Sequence, residues 1–141
     1  MVIVAAVDRS ERAKQVVSEG AALAAAFDAP LHVVHVLSNS QFRELEQTSY
    51  NDTGQTIPME EVKEFATEHA DEVAADVEDD YEAVGLVGDA AQRVIEYAEE
   101  NDARYVVVGG RKRSPTGKAI FGSTAQSILL NAKCPVVSVI N

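Results

Sequence analysis

Short runs of apolar, often β-branched residues alternate along this chain with segments whose apolar residues recur at every third or fourth position. The first pattern is typical of strands buried on both faces of a sheet, and the second is typical of helices with one buried face. Strands are predicted over residues 2–7, 31–37, 82–87, 104–108 and 135–140, and helices starting at Ser10, Pro58, Asp89 and Gly122. Five strands and four helices are therefore expected.

The order of these elements predicts the class of the fold. A strand, a helix and a second strand follow one another within the first 37 residues, and a connection of that length joins parallel strands by a right-handed crossover. Continued along the chain, this pattern gives one α/β domain over residues 1–141, doubly wound around an open parallel sheet of five strands. Such sheets bind ligands beyond the carboxyl ends of their strands, where the winding reverses direction.

One polar segment falls outside both patterns. Residues 38–57 show no clear hydrophobic period and include Asn51-Asp52-Thr53-Gly54, which is typical of loops. The segment is predicted to be a long, mobile insertion. Pro58 then stands where a first-turn proline would begin the next helix.

The stretch from residue 105 to residue 127 carries the clearest chemical signal. A β-branched strand breaks there at Gly109-Gly110, and a helix begins at Gly122-Ser123. Between them, a basic loop contains four cations, Arg111, Lys112, Arg113 and Lys118. Free N–H groups at a helix N-terminus attract anions, and glycine lets a phosphate approach the backbone closely. A phosphate-bearing ligand is therefore the first hypothesis.

A simpler interpretation of the same stretch remains open. Ser123 and Gln126 have the spacing of a capping box, so that Ser123 would only begin the helix and the glycines would only form a turn. A P-loop, by contrast, is excluded. Six residues rather than four separate Gly110 from Gly117, and the lysine that follows precedes alanine instead of serine or threonine.

Asp8 is the second candidate, because it directly follows the first predicted strand. If strands 1 and 4 are neighbours at the centre of the sheet, Asp8 and the loop after Gly109 open onto the same crevice. The alternative is that Asp8 is the N-cap of the first helix or a partner of its dipole.

Charge narrows the class of ligand. The net charge is −11, yet all 23 acidic residues precede residue 103, and residues 103–141 carry only six cations. Because the acidic surface repels a long polyanion, a small anionic ligand is favoured and a nucleic acid is not.

No apolar run has the length of a membrane span and the N-terminus has no leader pattern, so a soluble, cytoplasmic protein is expected. The acidic composition, with seven Arg and five Lys, resembles that of halophilic proteins.

Over essentially its whole length the chain resembles the universal stress protein family. Matching segments are Val-Asp-Arg-Ser-Glu at 7–11, Leu-His-Val-Val-His-Val at 31–36, Val-Gly-Asp-Ala-Ala at 87–91 and Asn-Ala-Lys-Cys-Pro-Val-Val at 131–137. The most specific element is the glycine pattern of nucleotide-binding members: Gly, two residues, Gly, nine residues, then Gly-Ser or Gly-Thr. Gly109 and Gly122-Ser123 match its two ends, whereas Lys112 stands in place of its second glycine.

The resemblance implies a Rossmann-like sheet of order 3-2-1-4-5, of the adenine nucleotide alpha hydrolase-like type, with ATP or AMP as ligand. It places Asp8 near the ribose and phosphates or a nucleotide-bound Mg²⁺, and the backbone of Val36 at the adenine edge; from the residues alone, Val36 is equally a core position. The other implied nucleotide-binding residues are Ala6, Val108, Gly109, Lys112, Gly122, Ser123 and Thr124. A homodimer through the last strand, from Val136 to Ile140, is also implied.

Three functions compete. The first is an adenine-nucleotide-binding stress-response or regulatory dimer with at most slow ATP hydrolysis, with the ammonium of Lys112 offered to the phosphates. The second is a family member that has lost the nucleotide, as Lys112 would then indicate, and acts through protein–protein contacts. The third, an enzyme, has little support, because His32, His35 and His69 lack metal-ligand spacing and no motif joins a nucleophile, a base and an orienting acid.

Overall fold

The computed structural model describes residues 1–110 and 121–140. The elements in this part of the chain are β1 (Val2–Ala6), α1 (Ala13–Phe27), β2 (Leu31–Leu37), α2 (Asn39–Thr53), α3 (Met59–Ala75), β3 (Glu82–Val87), α4 (Ala90–Glu100), β4 (Ala103–Gly109), α5 (Ser123–Asn131) and β5 (Val136–Val139). Every predicted strand is present to within one residue at each end. The described ranges hold five helices, where the hydrophobic pattern predicted four.

The strands form one parallel sheet of order β3-β2-β1-β4-β5. The predicted doubly wound fold and its strand order are thereby confirmed. The chain winds outward from β1 to β3 and then returns to pair β4 with the free side of β1, so that the winding reverses between β1 and β4. Ala5 pairs with Val107 in this register, and the carboxyl ends of the two strands therefore lie side by side.

Apolar side chains cover both faces of the sheet. Even-numbered residues of the central strands, such as Val4 and Val34, pack with α4 and α5, whereas odd-numbered residues, such as Ile3 and Val33, pack with α1 and α3. Burial on both faces explains why these strands are continuous apolar runs in the sequence. Helices α1, α3, α4 and α5 each bury one face. No helix in residues 1–110 and 121–140 is both long and apolar enough to cross a bilayer.

The prediction of a mobile insertion after β2 is wrong, because α2 occupies Asn39–Thr53. Ser38 begins this helix with a capping box, in which its Oγ accepts from the N–H of Gln41 at 3.2 Å and the Gln41 side chain accepts from the N–H of Ser38 at 3.0 Å. Phe42 and Leu45 pack against the end of β2 and against α3. A Ser-x-x-Gln sequence followed by two apolar residues three apart was the signal for this helix.

Candidate functional site

A cavity of about 260 Å³ opens at the carboxyl edge of the sheet, around the ends of β1, β2 and β4. It lies where the winding reverses, which is the usual ligand position in open α/β sheets. Eight of the nine predicted nucleotide-binding residues line it, namely Ala6, Asp8, Val36, Val108, Gly109, Gly122, Ser123 and Thr124. The ninth, Lys112, lies outside the described residues, as do the other three cations of the predicted loop.

The N-terminus of α5 forms one wall of the cavity and has no side-chain cap among the described residues. Gly122 is the N-cap residue, and its C=O accepts from the N–H of Gln126 at 3.0 Å. The capping box that Ser123 and Gln126 offered in the sequence is therefore not formed. The first-turn N–H groups of Ser123 and Thr124 have no acceptor inside the helix. Since the first turn holds no acidic residue, the positive end of the helix dipole faces the cavity.

The N-terminus of α4 also reaches the cavity, through Ala90, but this terminus is capped by the side chain of Asp89. Oδ2 of Asp89 accepts from the N–H of Gln92 at 3.0 Å, which confirms the predicted cap. The carboxylate satisfies a free N–H and offsets the positive end of the helix dipole. The N-terminus of α5 has no such carboxylate, so an anion in the cavity is attracted more strongly to α5 than to α4.

Asp8 lies two residues beyond the end of β1 and is exposed. Its Oδ1 accepts from the N–H of Ser10 at 2.8 Å and from the Ser10 hydroxyl at 2.6 Å, which closes a tight turn. Because α1 begins only at Ala13, with Arg12 as its N-cap residue, the alternative that Asp8 caps this helix is wrong. Oδ2 makes no hydrogen bond within the described residues, and it is available to a hydroxyl group or a cation.

The wall below the helix termini is apolar. Val34, Val36 and Val108 come from three adjacent strands, and Val94 and Ile128 come from α4 and α5. All five side chains are buried in the core that packs with these helices. The cavity therefore combines a surface for a flat apolar ring with an anion-attracting helix terminus, an arrangement that suits a ligand with one apolar and one anionic end.

The model of the universal stress protein family matches residues 1–139. The chain belongs to the universal stress protein family. The resemblance that the sequence motifs indicated is thus confirmed, whereas a halophilic source remains a prediction from composition.

Individual relatives of this universal stress protein match along their length. Universal stress protein A homolog 1 of Coxiella burnetii is 33% identical over 140 residues, covering 97% of this chain and 94% of the relative. A solved universal stress protein from Archaeoglobus fulgidus superposes with a TM-score of 0.69 at 32% identity, covering 98% of this chain and 97% of that one. A universal stress protein from the same organism, solved in complex with dAMP, gives a TM-score of 0.65 at 24% identity and covers 98% and 96%; this likeness concerns the fold.

Asp8 is the acidic residue among the described residues that line the cavity. In residues 1–110 and 121–140, no three His, Cys, Asp or Glu side chains come together as a metal site. Mg²⁺ binds through one or two carboxylates together with water and substrate phosphates. A Mg²⁺ ion at Asp8 would therefore require most of its ligands from a bound phosphate chain and water.

Two histidines that the sequence analysis did not select hold the end of β1. Nδ1–H of His35 donates to the C=O of Val7 at 2.9 Å, and Nε2–H of His69 donates to the C=O of Asp8 at 3.0 Å. Their ring centroids are 4.3 Å apart. Burial lowers the pKa of His35 below 6.5, opposed in part by its hydrogen bond to Val7. These bonds hold the backbone carbonyls of Val7 and Asp8 in place. No local sequence pattern pairs two histidines so far apart in the chain.

Arg12 also lines the cavity, and the sequence analysis passed over it. It is half-buried and precedes the first residue of α1. The available signal was its place four residues after Asp8, in the turn that follows a central strand.

A second polar cluster lies at the opposite edge of the sheet, at the amino ends of β2 and β3. Nδ1 of His32 is 2.6 Å from the hydroxyl of Tyr97, and its Nε2 is 3.1 Å from Oε2 of Glu82. Burial raises the pKa of Tyr97 to about 12, and the charge of Glu82 adds to the effect. The phenol therefore stays protonated at neutral pH. A hydroxyl, an imidazole and a carboxylate meet here, but the hydroxyl is not activated as a nucleophile. The three side chains connect α4 to β2 and β3.

Proposed function

We propose that this universal stress protein binds an adenine nucleotide, ATP or AMP, in the cavity between β1 and β4 and acts as a stress-response or regulatory protein. The observation that carries the proposal is the uncapped N-terminus of α5 beside a wall of valines. Free N–H groups at a helix N-terminus bind phosphate, and an apolar wall accepts a planar base. The Archaeoglobus fulgidus protein in complex with dAMP shares the fold, and this supports an adenine nucleotide as the ligand.

The proposed pose follows the chemistry of the walls. Adenine lies against the valines, with its edge at the backbone of Val36, and the sugar lies near Ala6 and Val108. Oδ2 of Asp8, free of other hydrogen bonds in the described part of the chain, accepts from a ribose hydroxyl. The phosphates lie among Gly109, Lys112, Gly122, Ser123 and Thr124.

We propose at most slow ATP hydrolysis. Fast phosphoryl transfer needs a positioned base or water-orienting group together with metal ions that neutralise the developing charge. Asp8 is the one carboxylate among the described cavity residues, and its Oδ1 is engaged by Ser10. With ATP and Mg²⁺, Oδ2 of Asp8 would hold the metal ion in place of the ribose hydroxyl.

The first test is to purify the protein without added nucleotide, denature it and identify released adenine compounds by absorbance and mass spectrometry. The emptied, refolded protein is then titrated with AMP and with ATP, with and without Mg²⁺. The chain contains no Trp and four Tyr, so bound adenine is conspicuous by absorbance. Released nucleotide or a saturable titration supports the proposal. If the folded protein releases no nucleotide and shows no saturable titration, the proposal is overturned. That outcome would favour a family member that acts through protein–protein contacts.

Gly122→Val is expected to weaken AMP and ATP binding at least about tenfold. Gly122 has φ −69° and ψ 164°, a backbone conformation that any residue adopts, so valine adds bulk at the phosphate position without backbone strain. Isothermal titration measures the affinity, and circular dichroism checks the fold. The control is Gln126→Val, an exposed position of α5 outside the cavity, which should bind normally. Unchanged affinity in Gly122→Val would remove this helix terminus from the site.

We further propose that the protein is a homodimer joined through β5. In the described sheet β5 pairs with β4 on one side only, and an unpaired edge strand is a template for pairing with another chain. The N–H of Gly110 donates to Val139 and the N–H of Val106 donates to Pro135. Since parallel strands alternate the direction of their backbone groups, the N–H of Ser138 points away from β4 and toward the free edge.

Ser138→Pro is expected to convert the dimer to a monomer in light scattering, because it removes one N–H from the free edge and none from the pairing with β4. Ser138→Ala keeps that N–H and should remain dimeric. A wild-type monomer, or a dimer in folded Ser138→Pro, would contradict pairing through β5.

A further inference from the structure

Arg12 places a cation in the wall of the cavity without an ion-pair partner in the described structure. Arg12 lines the same space as Asp8, Gly109 and the N-terminus of α5. The four ion pairs found within residues 1–110 and 121–140 do not include it. By contrast, Lys14, two residues along the same helix, pairs with Asp76 at 2.9 Å. The guanidinium of Arg12 is therefore available to an anion in the cavity.

The position of Arg12 in its helix argues against a role in helix stability. Arg12 is the N-cap residue of α1, and its side chain makes no capping hydrogen bond. A cation at this end is repelled by the helix dipole, and the first turn of α1 contains no acidic residue to offset the repulsion. Arginine there does not favour the helix, whereas it does add positive charge where the cavity opens.

The negative charge of Asp8 disfavours an anion in the cavity. Its carboxylate is exposed at the cavity and repels a phosphate, while the free N–H groups of α5 attract it only through partial charges. A guanidinium binds phosphate through two parallel charge-assisted hydrogen bonds. Arg12 supplies this group from the β1 side of the cavity.

We propose that Arg12 is a specificity-determining residue, which contacts the phosphate of the bound nucleotide and makes the cavity prefer a nucleotide over the corresponding nucleoside. The proposal rests on adenine-nucleotide binding, proposed above, and adds to it a residue outside the glycine pattern. It applies to AMP in the absence of a metal ion, because the guanidinium meets the phosphate directly.

The test compares AMP with adenosine by isothermal titration in wild type, Arg12→Gln and Arg12→Lys, without Mg²⁺. Arg12→Gln is expected to weaken AMP at least about tenfold and adenosine less than about twofold. Arg12→Lys should fall between, since it keeps the charge and loses the bidentate geometry. The control is Arg43→Gln, which removes an equal charge from an exposed position of α2 outside the cavity and should bind both ligands normally. The Tm of Arg12→Gln is expected to equal or exceed that of wild type.

The outcomes separate this inference from the one on which it rests. If wild type binds neither AMP nor adenosine, both proposals fail. If wild type binds AMP and Arg12→Gln binds it equally well, Arg12 does not contact the phosphate, and nucleotide binding stands. If Arg12→Gln loses AMP and adenosine to the same extent, or loses thermal stability, Arg12 has a structural role and the proposal is overturned.

Discussion

Asp8 shows how one side chain is divided between the local turn and the cavity. The sequence places it after a central strand, and the structure gives its two oxygens different environments, with Oδ1 held by Ser10 and Oδ2 without a partner in the described residues. The alternative interpretation, that Asp8 caps helix α1, was wrong because a turn of several residues separates Asp8 from Ala13. A hydrophobic period locates a helix to within about one turn and does not identify its first residue.

His35 carries the clearest expectation for pH. Its pKa is lowered chiefly by burial and further by electrostatic interaction with His69 and Arg9, while the bond to Val7 and the charge of Asp8 act in the opposite direction. Nε2 is buried without a partner among the described residues. Protonation would place a charge and an unpaired donor inside the fold, so the native state favours neutral imidazole.

His35→Asn should therefore flatten the acid dependence of stability. As pH falls below about 6.5, the unfolded chain takes up a proton at this residue before the native protein does, and wild-type stability declines toward the lower, native pKa. Asparagine can still donate to Val7 and does not titrate. Urea unfolding is measured between about pH 8 and about pH 5.5. An equal decline in both proteins would show that His35 does not contribute.

At the scale of elements, helix termini distinguish the site from the rest of the fold. α4 and α5 both begin at the cavity, but Asp89 caps α4 with a carboxylate, whereas within the described ranges the N–H groups of α5 have no side-chain cap. The sequence predicted the first cap correctly. For α5 it could not choose between Gly122 and Ser123, because both fit the start of the same apolar period and differ only in which residue leaves the helical conformation.

At the same scale, a prediction concerns α2, the helix that the hydrophobic pattern did not reveal. Ser38→Ala removes the acceptor of the N–H of Gln41 and should cost about 1 kcal/mol. Because α2 has no fully buried residue, the loss should appear as faster amide exchange over residues 39–53, with β1 unaffected. Gln47→Ala, an exposed change on the same helix, should leave exchange unchanged or slower. Uniform acceleration across the sheet after Ser38→Ala would show that α2 does not open as a local unit.

At the scale of the whole molecule, the stability of the fold depends more on how the charges are distributed than on the net charge of −11. The acidic residues are concentrated on helices such as α3, where Glu64 and Glu68 are exposed, four residues apart and absent from the ion pairs found in the described ranges. Like charges at this spacing repel each other. At 0.1 M salt the Debye length is about 10 Å, so charges this close still repel each other, and only higher salt screens them.

Raising KCl from about 0.1 M to about 2 M should therefore increase the free energy of unfolding. Glu64→Gln combined with Glu68→Gln should stabilise the protein at low salt by about 0.2–0.5 kcal/mol and reduce its response to salt. Glu96→Gln is the control, because Glu96 is paired with Arg93 at 2.9 Å and its removal should not stabilise. Stability independent of salt would contradict both the repulsion and the halophilic character predicted from composition.

The sequence by itself determined the buried strands, the α/β class and the residues that follow the central strands, because periodicity records which positions each element buries. Only the tertiary structure decided that β1 and β4 bring Asp8 and Gly122 to one cavity, that Arg12 lines it, and that His69 reaches the carbonyl of Asp8 from 61 residues away. The strand order was implied by family resemblance rather than by periodicity. A hydrophobic pattern shows which face of an element is buried, but not which element packs against that face. It also does not determine the hydrogen bonds that form turns and helix caps.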